Sequence, residues 1–329
     1  MGVITSLFST FSPGAALYAT YAALGFIWPH ARPLVAGDDA LATRYMHATK
    51  GKPAWALVTD AESPIGRAQC SELAARGFNV VLYSSCCTTS RTTQQQKELG
   101  AIRNELLKAY PENKYRIVIG GASSHIDRKS DAAAEFVNRV AGSLEDVNLT
   151  MVVNNVRSSA EMNCDAENVD TTLPPELMAA LMPLLRRNAP ALLVNVAVSP
   201  LDAGIVEVPL CSFCDSSNSF SRGGADAEVD VVSCYLGDVT SSGQDAVSFI
   251  RPTPPDLARA VLLHAGYSRS RGRNAVVYPY LPDALIQTMR ERLPTWVMDQ
   301  VLVLVGGDIK GWDRRAIDYG LRDIIPAEQ

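Results

Sequence analysis

Short apolar runs and longer amphipathic segments take turns along most of this chain. The first run, "AWALVT" from Ala54 to Thr59, is continuously apolar up to a turn, which predicts a parallel strand buried on both faces. After the turn, Ile65, Cys70, Leu73 and Ala74 recur at helical spacing, and Gly77 stands where a helix C-terminus needs a residue tolerant of positive φ. The runs "FNVVLYS", "YRIVIGG", "LTMVVNN", "ALLVNVAV" and "VDVVSCYLG" predict further strands. Between them, "QQQKELGAIRNELLKAY", "DAAAEFVNRVAGSL" and "PELMAALMPLLRR" read as helices, and "CDSSNSFSRGGADAE" as a weakly helical stretch before the last of these strands. A repeated strand–helix rhythm with short connections argues an α/β fold with a doubly wound parallel sheet in a single domain.

Both ends break the rhythm. No charged side chain occurs from Met1 to Pro29, and "LFSTFSPGAALYATYAALGFIW" is about as long as the ~20 residues that cross a bilayer core. Tyr18, Tyr21 and Trp28 suit the membrane interface, and Arg32, Arg44, Lys50 and Lys52 favour the cytosol for the remainder of the chain. Pro13-Gly14 interrupts the run, so a single span, a hairpin and a surface-lying helix all stay open, while the missing basic n-region argues against a cleaved signal peptide. The division expected is a hydrophobic anchor at 1–33, a polar linker at 34–53, the α/β core at 54–247 and a substrate-side helical extension at 248–329. Pro252, Pro254 and Pro255 enforce an extended approach to a helix in that extension. Its "WVMDQVLVLV" is too short to span and reads as a packing or membrane-resting helix.

Composition narrows the function classes. The net charge of −5 comes from interspersed acids and bases, with no clustered basic face for nucleic acid. Seven cysteines form no even framework, which points to a reducing compartment rather than a disulfide-stapled fold. Cys211 and Cys214 make one CxxC without a second pair, so no metal site is expected. His125 and His264 are isolated and read as surface or core residues, and Tyr235 in "SCYLGD" reads as core packing or as a pocket wall. Asn148-Leu149-Thr150 has the form of a glycosylation sequon but leads into a buried strand.

The chemistry turns on "TDAESPIG", Thr59 to Gly66. Taken with "VVNNV" ending the fourth strand, "LLVNV" ending the fifth and "FCDSSNSF" beyond it, this order resembles the short-chain dehydrogenase/reductases, a Rossmann-like family. The uncharged N-terminus, "GFNVVLYS" and "IRPTPPDLARAVL…LPTW" are similar, more narrowly, to the membrane-bound 3-ketoacyl-CoA reductase and 17β-hydroxysteroid dehydrogenase branch. That likeness implies a domain facing the cytosol at the endoplasmic reticulum, a lipid-metabolic setting, a hydrophobic small molecule as ligand, and pairing of two copies. It also implies a dinucleotide held at Thr59, Ile65, Gly66, Asn154 and Val156. In the family the turn is TGxxxGxG, whose glycines let backbone N–H groups approach a pyrophosphate. Only Thr59 and Gly66 match that pattern. Asp60 and Glu62 add negative charge, and two charges ~4 Å apart at an effective ε near 20 repel by roughly 4 kcal/mol. Pro64 removes a donor. The plain alternative is a strand-to-helix turn whose acids suit the helix dipole. "SSCC", Ser84 to Cys87, carries neither the acid nor the arginine that would select NAD or NADP, and Gly121 stands where the family has an Asp near the adenine. The expectation is no dinucleotide, and NADP(H) if any.

The likeness also assigns catalytic places. The family reduces a carbonyl with a Ser that holds the oxygen, a Tyr that donates the proton, a Lys that tunes it, and an Asn on the preceding helix. Here Cys214 falls at the Tyr place, Asn218 at the Lys place, Val198 at the Ser place with Ser199 as substitute, and Asp170 at the Asn place with Asn168 as fallback. A thiol is a weak donor and a neutral Asn218 supplies no charge. Three readings are open: a reductase-like fold without redox chemistry, an active NAD(P)(H)-dependent oxidoreductase on a lipid-like or polyketide-like ketone, and a non-redox isomerase, dehydratase or cyclase reusing the pocket.

Overall fold

The computed structural model describes residues 39–85, 89–120, 131–156, 175–198, 229–236, 252–267 and 275–292. In chain order its elements are α1 (Asp39–Tyr45), β1 (Ala54–Thr59), α2 (Pro64–Ala75), β2 (Asn79–Ser85), α3 (Thr89–Ala109) and β3 (Tyr115–Gly120). Then come α4 (Asp131–Gly142), β4 (Asn148–Val156), α5 (Pro175–Arg187), β5 (Ala191–Val198), β6 (Val229–Leu236), α6 (Pro254–Tyr267), β7 (Ala275–Val277) and α7 (Leu281–Arg292). The strands pair in parallel in one sheet, in the order β3-β2-β1-β4-β5-β6-β7. The order reverses direction between β1 and β4, the switch point at which doubly wound sheets open a crevice beyond the strand C-termini. The Rossmann-like architecture expected from the alternation is therefore the one present.

The continuous apolarity of β1 has its reason in two cores. Ala54, Ala56 and Val58 pack with Cys70 and Leu73 of α2 and Val261 of α6 on one face of the sheet. Trp55 and Leu57 pack on the other face with Leu144, Leu181 of α5 and Leu193 of β5. All six residues of β1 are buried. The first core runs up to the sheet's C-terminal edge, where Ala61 of the turn after β1 and Leu236 at the end of β6 belong to it.

Residues 34–53 read as a linker, and their described part is instead built into the domain. Leu41 and Tyr45 of α1 are buried in the core. Tyr45 donates its hydroxyl to Asp230 Oδ2 at 2.7 Å, and Arg44 Nε meets the same oxygen at 3.1 Å. Further on, His47 Nε2 bonds the Pro190 carbonyl at 3.0 Å, and Asn148 Nδ2 donates to the carbonyls of His47 and Lys52. The polar character of the stretch misled because those polar groups are partnered at the N-terminal edge of the sheet rather than by water. Asn148 is itself buried, so its sequon is masked in this fold. Among the described residues no helix is long and apolar enough to cross a membrane. The 1–33 stretch and "WVMDQVLVLV" lie outside the described residues.

Gly266 near the end of α6 makes the α1 contact possible, since a Cβ there would come within 2.8 Å of the Leu41 backbone nitrogen. Gly266→Ala is expected to lower stability by about 1–2 kcal/mol, overpacking of ~1–3 kcal/mol outweighing the ~1 kcal/mol that alanine gains as a helix former. Urea unfolding checks this; a midpoint at or above that of the parent chain would show that α1 moves aside freely.

Candidate functional site

The crevice is bounded by the turn after β1. Asp60 sits at φ 54°, the left-handed region where the family places glycine, so the backbone path is kept with a residue that tolerates it less well. Ser63 caps α2: its Oγ accepts the Gly66 N–H at 3.0 Å and donates to the Asp60 carbonyl at 2.8 Å. Pro64 follows at the first helical position, where its missing N–H costs least. Ser63 N–H donates to the Asp60 carbonyl at 3.0 Å, and Ala61 N–H to the Tyr83 carbonyl at 3.2 Å. The serine–proline pair was a readable N-cap signal, and it explains the turn better than its missing glycines do.

Gly66 shows what the surviving glycine is for. A Cβ at this position would lie 2.1 Å from the Asp60 carbonyl oxygen and 3.0 Å from Ser63 Oγ. Its bareness serves closure of the turn on itself. A pyrophosphate requires uncommitted N–H groups and an open approach at the helix start. Here the N–H groups of Ala61, Ser63 and Gly66 already have acceptors within the chain and Pro64 has none, which leaves those of Glu62 and Ile65 as donors. The turn offers the phosphates of a dinucleotide fewer donors than a glycine-rich turn would.

Glu62 turns away from the helix start and across to the end of β2. Ser84 Oγ donates to its Oε1 at 2.6 Å, and Gln95 Nε2 of α3 lies 3.4 Å from the same atom. Its other oxygen, Oε2, is buried without a hydrogen-bond partner. Burial first, and then the negative charge of Glu62, push the Tyr83 phenol and the Cys70 thiol well above their usual ranges. Both therefore stay protonated, and neither serves as a ready acid or nucleophile.

At the switch point itself β1 and β4 are clasped shut. Asn155 donates its backbone N–H to Thr59 Oγ1 at 2.7 Å and its side-chain amide to the Thr59 carbonyl at 2.7 Å and to Gln69 Oε1 at 2.8 Å. All three residues are buried. Asn154 lies beside Asn195, donating Nδ2 to Oδ1 at 3.1 Å, and Asn195 is in register with Ser233, so a polar row crosses β4, β5 and β6. Sequence reasoning named Thr59 and Asn154 as cofactor contacts and missed Asn155 and Gln69. The "NN" ending β4 was the available signal, since two adjacent asparagines on a central strand need partners on opposite faces.

The expected catalytic positions are not assembled in the described residues. Val198 ends β5, but Ser199, Asp170, Asn168, Cys214 and Asn218 lie outside them, as do Cys211 and His125. Val156 ends β4, and Ile65 is the second residue of α2, packed against the core. Tyr235, at the end of β6, stacks on Tyr278 with ring centroids 5.7 Å apart. His264 is buried, with Nδ1 on the Ala260 carbonyl at 2.9 Å, as befits a core histidine. Among the described residues no group of His, Cys, Asp or Glu is arranged to hold a metal.

No family model matches the chain. Over 271 residues it is 24% identical to the very-long-chain 3-oxoacyl-CoA reductase of Caenorhabditis elegans, covering 75% of this chain and 78% of that protein. Over 285 residues it is 25% identical to the very-long-chain 3-oxoacyl-CoA reductase of Anas platyrhynchos, covering 79% and 82%. Among solved structures, L-sorbose reductase from Gluconobacter frateurii, complexed with NADPH and L-sorbose, aligns with a TM-score of 0.48 at 15% identity over 68% of this chain and 93% of that one. The resemblance to short-chain reductases, and to the 3-ketoacyl-CoA reductase branch among them, thus extends over about three quarters of the sequence.

Asn155→Ala removes two side-chain donations to buried acceptors, and it is expected to cost about 2–4 kcal/mol of stability. Equilibrium denaturation measures it, and a loss under ~1 kcal/mol would mean that water replaces the amide without penalty.

Proposed function

We propose that this chain keeps the fold of a short-chain reductase without its nicotinamide-dependent chemistry, and acts as a pseudoenzyme or scaffold. One observation carries the reading: around the start of α2 the N–H groups of Ala61, Ser63 and Gly66 are bonded within the chain and Pro64 has none, so only those of Glu62 and Ile65 are left to a ligand, and Gly66 is closed against Asp60. The family places for proton donor and tuning cation hold Cys214 and Asn218, and those for oxygen holder and helix Asn hold Val198 and Asp170. General acid catalysis contributes about 10²–10⁴-fold, and a short thiol beside a neutral amide forfeits much of it. In this reading the chain binds no dinucleotide, or NADP(H) if any. The uncharged segment from Met1 to Pro29 supports a membrane anchor, with the domain on the cytosolic side of the endoplasmic reticulum and an apolar small molecule or a second copy as partner.

The names of the curated relatives favour a second reading, an active reductase of a long-chain ketone. The two part on a single measurement with the full chain. Thermal melting with millimolar NADPH or NADH is expected to leave the transition where it was. A coenzyme present at a hundred times its Kd would add about 2.7 kcal/mol, on the order of 5–10 °C, and such a shift together with turnover of a 3-oxoacyl-CoA would establish the active reductase instead.

A further inference from the structure

The most unusual group in the described residues is the Glu62 carboxylate. It stands between the C-terminal ends of β1 and β2 and the side of α3, held through one oxygen by Ser84 and weakly by Gln95. Its second oxygen is buried and has no donor. No Lys, Arg or His among the described residues forms an ion pair with it. Burying one oxygen of a half-buried carboxylate without a donor is a cost to the fold.

Nothing in the turn needs this acid. Ser63 caps the helix, Pro64 sets its first residue, and Gly66 admits the Asp60 carbonyl. The end of β2, which Glu62 reaches through Ser84, is where doubly wound folds meet the ribose hydroxyls or 2′-phosphate of an adenine nucleotide. The side chain brings to that place a negative charge, strong enough to add to the upward shift of the neighbouring Tyr83 phenol.

We infer that Glu62 is a specificity-determining residue whose carboxylate, latched by Ser84 at the C-terminal end of β2, excludes adenine nucleotides that carry a 2′-phosphate. This rests on the reading of the chain as one without coenzyme, and names the side chain that enforces it at the adenosine half. The latch is one hydroxyl-to-carboxylate bond, so the exclusion is mainly steric and electrostatic and resides in a single residue.

The test uses the full chain and adenosine 2′-monophosphate, which carries its phosphate at the β2 end and none at the turn. By isothermal titration the parent chain is expected to bind it at best weakly, and Glu62→Ala to bind it about 10²-fold more tightly, since the like-charge repulsion is removed. Glu62→Gln, which keeps an oxygen for Ser84 and the same volume, is expected to show a smaller gain from charge alone, and it decides the matter should the alanine variant fail to fold. Equal affinity in the parent and both variants, whether tight or undetectable, would overturn the inference. NADPH binding with ketone turnover by the parent chain would instead overturn the proposed function, a result read in a different assay.

Discussion

A backbone amide that has given its proton to its own chain has none for a phosphate. That accounting, at the turn from β1 into α2, governs what the rest of this fold can hold. The Ser63 cap, the Asp60 carbonyl and the Tyr83 carbonyl accept from the N–H groups of Gly66, Ser63 and Ala61, Pro64 has none, and those of Glu62 and Ile65 remain. The helix start is partly satisfied from within the chain, with fewer donors left over than a glycine-rich turn offers its ligand. The two designs share a backbone path, as the left-handed Asp60 shows, and differ in where the hydrogen bonds go.

The architecture was legible because it depends on local apolar pattern. A strand buried on both faces must be continuously apolar, and β1 is, with alternate residues feeding two separate cores. Gly77, at φ 92° after α2, was equally plain, since few other residues end a helix that way. The site was legible only in part. That Glu62 leans to Ser84 rather than to the helix start is a matter of side-chain direction between elements 22 positions apart, and no spacing rule reports it. The Asn155 clasp on Thr59 and Gln69 is tertiary in the same way. The segment from Asp39 to Pro53 misled because polar residues that bond to the sheet edge look the same, in sequence, as polar residues that bond to water.

Stability and site chemistry are well separated in this molecule. The cores draw on the strands and on helices on both faces of the sheet, while Asp60, Glu62 and Pro64 stand in the turn beyond β1. Most of the apolar burial lies in those elements, and the residue choices of the turn contribute little to it. The exception is the clasp: Asn155 secures β4 to β1 where the strand order reverses, and there the site and the scaffold are one.

The docking of residues 39–53 has a mechanical side. Tyr45 and Arg44 fasten to the beginning of β6, His47 to the residue before β5, and Asn148 at the head of β4 grips the carbonyls of His47 and Lys52. Tension arriving along the chain from residues before Asp39 is therefore shared among three strand beginnings and does not fall on β1 alone. The load is borne at one rim of the sheet, while the turn, Glu62 and the clasp occupy the opposite rim, insulated from whatever tugs on the leading segment.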